Sequence, residues 1–419
     1  MRCSLFRSVV VAVVSAAVIL IAFAAPTVSA AAAGSVRGFD GTTITVAGFG
    51  GQSNFPNAAS GAQARIKAFN DNHELKGIKL KWAGFADDKN DPATAVSEQR
   101  RLVTQEGVFA VVADLSTFNG EYFKQQHVPY FGWAFDQSYC SKTSKPDPTV
   151  YGFAFYGCQS EASKTIGDSG RAMYQYVNQL TGTKKPSILL FSVDNEAGKR
   201  SVQQLAYAIR GAGFDVVGEN TEMAPPPVGD YTPYIQHYLT SDHGKAPDAM
   251  LCLTAAQCIN VYDGLQAAGY KGTFISSLYF NLLVGAMKGS AASAFFQPFD
   301  QNTPGLIQMK KNLDAFDPGA SAKLDSGVVA TYASADMFIQ ALKKVAAKGK
   351  NNITPENVQK VAAHQTWELQ GVTGPTIYPD STVVATPTCT GLVVSDGNAW
   401  NQVVPYACST KQYPTKASG

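Results

Sequence analysis

The chain has 419 residues, with 34 Lys plus Arg against 32 Asp plus Glu and a charged fraction of only 16%. That balance leaves no basic field for nucleic acid and no acidic one for cationic partners. The length suffices for two domains, each with its own core.

The first thirty residues have the layout of a secretory signal. Arg2 and Arg7 give a short basic start, Val9 to Ala25 is almost uninterruptedly apolar, and Pro26 ends the run. Val28-Ser29-Ala30 then supplies the small residues a signal peptidase needs. A retained membrane anchor is the alternative, since the run is at the short end for spanning. Cys3 precedes the apolar stretch and no cysteine follows it closely, so a lipid anchor is not expected. The expectation is a secreted or periplasmic chain, free of the membrane after cleavage at residue 30.

Six further cysteines form three sequence-local couples, Cys140 with Cys158, Cys252 with Cys258, and Cys389 with Cys408. Outside the cytosol such cysteines oxidise by default, and the local scheme is the simplest of the connectivities open to them. A metal site is the competing reading. It lacks a CxxC, and the five histidines are scattered. No metal and no cofactor is expected.

From Thr43 onward short apolar runs alternate with helical patterns. Ile44 to Gly48 predicts a strand, and Asn57 to Asn72 a helix with Ala58, Ala62, Ile66 and Phe69 on one face. Ile78 to Phe85 predicts a second strand. Asp91-Pro92 opens a helix toward Gln105, with a capping Asp before a first-turn Pro. Phe109 to Ala113 and Val128 to Gly132 predict two more strands, with a short helix over Phe118 to Gln126 between them. The pattern then restarts: a helix over Glu161 to Leu180, a strand over Ser187 to Ser192, and a helix from Gly198 to Gly211. Strands over Phe214 to Gly218, Ala249 to Leu253 and Thr273 to Ser277 alternate with helices over Tyr231 to Leu239 and Ala255 to Ala268. Such alternation predicts parallel sheets covered by helices on both faces, in two arrays. A long helix is expected over Asp325 to Ala347, another is capped at Thr354-Pro355-Glu356, and Asp396-Gly397-Asn398 predicts a hairpin turn.

Taken in order, several segments resemble the type I periplasmic-binding-protein family, in particular the leucine/isoleucine/valine-binding branch that serves ABC transporters. They are ITVAGFGGQSNFPNAASGAQARIKAFN, FAVVADLST, VPYFGW, ILLFSVDNEAGKRSVQQLAYAIRGAGFDVV, and GVTGPTIYP followed by a hairpin with Asp-Gly before Trp. The resemblance spans nearly the whole chain after the signal. It implies an α/β fold of two doubly wound parallel-sheet lobes joined by a three-crossover hinge. Lobe 1 would hold residues 40–160 and 282–375, and lobe 2 residues 161–281 and 376–419. It also implies a monomeric solute-binding protein that closes over a small organic ligand and docks on an ABC permease.

In open α/β sheets ligands bind beyond the carboxyl ends of the strands. That rule places Gln52, Ser53, Asn54 and Phe55 after the first strand, Ser116 and Thr117 after the third, and Trp133 and Phe135 after the fourth. The second array contributes Asn195, Glu196, Thr254 and Tyr279. Ordinary turn chemistry explains many of the same residue types. Ser116 and Thr117 stand out because hydroxyls and free N–H groups at a helix start suit an anionic or carbonyl oxygen. In the family's amino-acid binders this loop holds the ligand carboxylate. Trp133 and Phe135 depart from the Ser and Thr usual there, and so point to an aromatic wall, or else to packing between the lobes. The expected ligand is amino-acid-like, an amide or aromatic.

No dinucleotide fingerprint, Walker lysine, G-x-S-x-G or HExxH occurs, so no enzyme is expected. A ligand-sensing module of the same fold and a secreted hydrolase with a triad assembled in space are the alternatives.

Overall fold

Buried parallel strands have apolar neighbours on both faces and therefore read as continuous apolar runs. Thr43–Gly50 is such a run and forms β1, inside a five-stranded sheet of order β2-β1-β3-β4-β5. In the computed structural model, which describes residues 36–158, 160–254, 257–384 and 388–415, all four pairings of that sheet are parallel. The expected signal at 1–30 lies outside the described residues. After β1 come α1 (Ala58–Asp71), β2 (Lys79–Asp87), α2 (Pro92–Thr104), β3 (Ala110–Leu115), α3 (Glu121–Gln125), β4 (Tyr130–Gly132) and β5 (Gly152–Ala154). Asp91 caps α2 as its sequence predicts, accepting the Thr94 N–H at 2.6 Å.

The helix expected over Glu161 to Leu180 is half as long. Its first part contains β6 (Thr165–Gly167), and only α4 (Arg171–Thr181) is helical. Gly167 and Gly170 weaken a helix there, and β6 gains an antiparallel partner from the far end of the chain. Periodicity within one segment cannot report a partner more than two hundred residues away.

The second sheet then assembles from β7 (Ser187–Val193), α5 (Glu196–Ala212), β8 (Asp215–Met223), α6 (Thr232–Tyr238), β9 (Ala249–Cys252), α7 (Gln257–Ala267), β10 (Thr273–Ser276) and β11 (Ala291–Ala294). The expected boundary at 281/282 assigns β11 to lobe 1. The strand instead lies in the seven-stranded sheet, parallel to β10. Its sequence, Ala-Ala-Ser-Ala, carries almost no strand propensity, so the pairing is visible only in three dimensions.

Next come α8 (Pro304–Phe316), α9 (Ser326–Ala346) and α10 (Pro355–Ala362), followed by the short pair β12 (Thr366–Trp367) and β13 (Thr376–Ile377). Helix α9 returns to the five-stranded sheet, packing on β3, β4 and α1. The approach to α1 requires Gly61, because a Cβ there would sit 2.0 Å from the Val328 carbonyl oxygen. Buried charge fixes the same contact. Arg65 donates to Asp336 at 2.8 Å and to Glu74 at 2.6 Å, and Lys343 also reaches Glu74.

Hairpin strands β14 (Thr388–Ser395) and β15 (Trp400–Ser409) close the order β15-β14-β11-β10-β9-β7-β8, with β11–β14 and β14–β15 antiparallel. The final strand, β16 (Gln412–Pro414), is the partner of β6. Cys389 stands opposite Cys408 with a bulge inside the hairpin, and the two are bonded, as are Cys140–Cys158 and Cys252–Cys258. The chain therefore passes between the sheets three times, between β5 and β7, between β11 and α8, and between β13 and β14. Among the described residues no helix is long and apolar enough to cross a membrane.

Candidate functional site

The carboxyl ends of strands from both sheets converge on one cavity of about 520 Å³. From the five-stranded side, the loop after β1 supplies Ser53, Asn54 and Phe55. Asn90 organises the polar pair, since its side chain accepts from Asn54 and donates to Ser53, each at 2.7 Å. After β3, Thr117 and Phe118 border the space.

Beyond β4 the backbone turns at Gly132, where a Cβ would lie 1.9 Å from the Asp114 carbonyl oxygen. The close approach lets the Trp133 N–H donate to that oxygen at 2.9 Å. Trp133 and Phe135 are then nearly parallel, with centroids 5.3 Å apart, and Phe135 stacks in turn on Phe55 at 6.0 Å. Trp133 also makes T-shaped contacts with Phe155, Tyr156, Phe295 and Phe296 and is only 4% exposed, so most of its ring is core. The ring thus packs between the sheets and also borders the cavity.

From the seven-stranded side, Asn195 caps α5 by accepting the Gly198 N–H at 2.7 Å. The first two turns of α5 then present Ala197, Gly198, Arg200 and Ser201 to the cavity. Thr254 and Gln257 enter after β9, Ser277 and Leu278 after β10, Phe295 after β11, and Pro225 to Pro227 after β8.

Of the residues singled out in the sequence, Ser53, Asn54, Phe55, Thr117, Trp133, Phe135, Asn195 and Thr254 line this space. Gln52, Ser116, Glu196 and Tyr279 do not. Gln52 is exposed and its backbone N–H donates to Asp87. Ser116 is buried behind the loop, giving its hydroxyl to Asp88 at 2.6 Å while accepting the Phe118 N–H. Glu196 is exposed at the start of α5. Tyr279 is buried against Phe299 and Trp400.

Three carboxylates lie beneath the strand ends without lining the cavity. Burial pushes Asp114 well above the ordinary carboxylate range, aided by neighbouring Asp136. Burial also raises Asp136 and Asp88, despite the hydrogen bonds that Ser138 and Ser116 give them. The Tyr139 hydroxyl donates to Asp114 at 2.8 Å. Among the described residues no group of histidine, cysteine and acidic side chains is arranged to hold a metal.

Sequence reasoning missed Arg200, Lys89, Asn90, Ser277 and Phe295 at the cavity. Arg200 shows its role only in the structure. It begins the i, i+4 row Arg200–Gln204–Ala208, which is buried throughout, although Lys199-Arg200-Ser201 reads locally as a solvated face.

No curated protein matches the chain in sequence. A family model described as periplasmic binding protein matches residues 40–390. Among solved structures, a branched-chain amino acid ABC transporter protein from Thermus thermophilus with bound valine is similar, with a TM-score of 0.66 at 15% identity, covering 88% of this chain and 96% of that one. A fatty acid ABC transporter substrate-binding protein from Thermomonospora curvata gives 0.67 at 17% identity, covering 89% and 94%. An R. palustris ABC transporter solute-binding protein in complex with benzoate gives 0.66 at 11% identity, covering 90% and 99%. The matched span and the two sheets with three passages between them agree: this chain belongs to the periplasmic binding protein family and has its type I fold.

Proposed function

We propose that the protein is an exported solute-binding subunit of an ABC importer, which closes two lobes over a small organic ligand. The observation that carries this reading is the shared cavity. Thr117 and Trp133 reach it from one sheet, and Asn195, Thr254 and Ser277 from the other, so a ligand held there touches both halves. Lobe 1 is the five-stranded sheet with α8 to α10, and lobe 2 is the seven-stranded sheet with its helices. Interactions with both halves favour the closed form in proportion to the ligand's differential affinity for it. Closure would present a joint surface to a permease, in keeping with the ABC transporter proteins of similar fold. Cleavage after residue 30 places the protein outside the cytoplasm on this reading, and N-terminal sequencing of the exported chain tests that part.

The binding reading is tested by thermal shift against amino acids, amides, aromatic acids and fatty acids, followed by small-angle scattering with any hit. A ligand bound only by the native state raises Tm by mass action, and closure reduces the radius of gyration. A stabilising ligand that leaves the scattering profile unchanged would count against a closing clamp. Co-purification with a permease separates an importer subunit from a sensing module of the same fold.

A further inference from the structure

The charges around the cavity are one-sided. Two cations line it, Lys89 from the five-stranded side and Arg200 from α5, and no aspartate or glutamate does among the described residues. Arg200 is only 6% exposed, yet it makes no ion pair or hydrogen bond among the described residues. The acidic groups whose fields reach it are Asp136, Tyr156, Glu161 and Glu196. None of them stands within ion-pair distance, and Asp136 spends one carboxylate oxygen on the Ser138 N–H at 2.7 Å. A guanidinium on a residue so little exposed, whose N–H groups open only onto the cavity, is less well solvated than in water, and burial lowers its pKa accordingly. A planar anion that accepts its paired N–H donors relieves this. The 17-residue helix α5 also turns its N-terminal end to the cavity through Ala197 and Gly198, adding partial positive charge to the same wall.

The remaining lining carries no charge: an apolar wall that includes Phe55, Phe118, Trp133 and Phe135 is interleaved with neutral hydroxyl and amide side chains such as Thr254 and Gln257. A zwitterionic amino acid would bring an ammonium group into a space lined by two cations and no carboxylate. Asp136 and Glu196, the acids that could have met it, are respectively behind the wall and on the surface.

We propose that the cleft selects a single-headed organic acid, a carboxylate on an aromatic or aliphatic body without an ammonium group, and that Arg200 is its counter-charge. The inference rests on the binding reading of the cleft and narrows its ligand class.

The test is calorimetric titration of the purified protein with matched probes: benzoate against benzamide, octanoate against octanamide, and phenylalanine and leucine as zwitterions. An acid should bind at least about 10-fold more tightly than its amide. Arg200→Met should weaken the acid by roughly 10- to 100-fold and the matched amide, whose carbonyl oxygen accepts from the same donors without a charge, by clearly less. Removing an unpaired buried charge should not lower the Tm of the free protein, which separates lost recognition from lost folding. Arg200→Lys, which keeps the charge without the planar fork, should fall between the two. Amides or amino acids preferred over acids, or acid affinity unchanged in Arg200→Met, would overturn this proposal and leave the binding reading standing. A folded wild-type protein that binds none of the acids, amides or amino acids would overturn both.

Discussion

The indole of Trp133 lies 5.3 Å from the ring of Phe135 with 13° between their planes, yet the two rings differ in what surrounds them. Trp133 is enclosed by four further aromatic rings, whereas Phe135 is half-buried and faces the cavity. The pair therefore divides the work of core and wall. Trp133→Ala should cost about 3–5 kcal/mol of stability, as large core truncations do. Phe135→Ala should lower stability less and weaken a bound ligand by about 1–2 kcal/mol. Urea denaturation and titration on both variants check this. Equal stability losses would show that Phe135 too is chiefly core.

Local chemistry made much of the scaffold legible. Asp91-Pro92 and Asp396-Gly397 announce their cap and turn because their partners lie within a few residues. Strand ends located the cavity walls through topology alone, and so found Thr117, Trp133 and Thr254. What failed needed distant partners. Ser116 and Thr117 are equivalent in sequence, and only Asp88 decides which hydroxyl is taken. Strand β11 exists because β10 and β14 flank it. Arg200 reads as a surface residue until the five-stranded side is set opposite α5.

The buried cluster at Arg65 should behave as a structural pin. Its Nε meets Asp336 at 2.8 Å, and Asp336 also accepts from Gln340 and from the Trp367 indole. Arg65→Ala leaves Asp336 and Glu74 charged and under-partnered, with an expected loss of about 3–5 kcal/mol. Asp336→Ala should be comparably costly. The double variant should recover part of the sum, with a coupling of about 1–3 kcal/mol in a double-mutant cycle. Strict additivity would mean that the two side chains do not act together.

The disulfides should separate stability from binding. Cys252 and Cys258 enclose a short loop, with a sequence separation of 6, against 18 and 19 for the other bonds. Loop entropy assigns about 2 kcal/mol to the short closure and about 3 kcal/mol to each longer one. The short bond carries the additional task. Thr254 sits inside its loop, lines the cavity, and has its Oγ1 3.4 Å from the Cys258 Sγ. Replacing Cys252 and Cys258 together by alanine should therefore weaken ligand binding as well as folding. The Cys389 and Cys408 pair, replaced in the same way, should lower stability alone. Paired denaturation and titration measurements decide the matter, and equal affinities in the two double variants would remove the binding role of the short loop.

Asp325 should give stability a pH dependence opposite in sign to that of an ion-paired carboxylate. It caps α9 by accepting the Val328 N–H at 2.8 Å. Burial nevertheless raises its pKa from 3.8 to about 6, outweighing the hydrogen bonds from Val328, Gly327 and Asn57. Below pH about 4 the group is protonated whether the chain is folded or not. Between about 4 and 6 the folded state keeps a proton that the unfolded state has released, so its contribution to stability declines as pH rises through that window, and then levels off. The full difference is on the order of 3 kcal/mol. Asp88, Asp114 and Asp136 are also raised by burial and slope the same way, so the wild-type curve alone does not isolate Asp325. Asp325→Asn does, because an amide oxygen can still accept the Val328 N–H but does not titrate. The variant should match the wild type near pH 4 and exceed it near pH 7. Denaturation curves for the two proteins that run parallel from pH 4 to 7 would show that the Asp325 carboxylate is as well solvated in the folded chain as in the unfolded one.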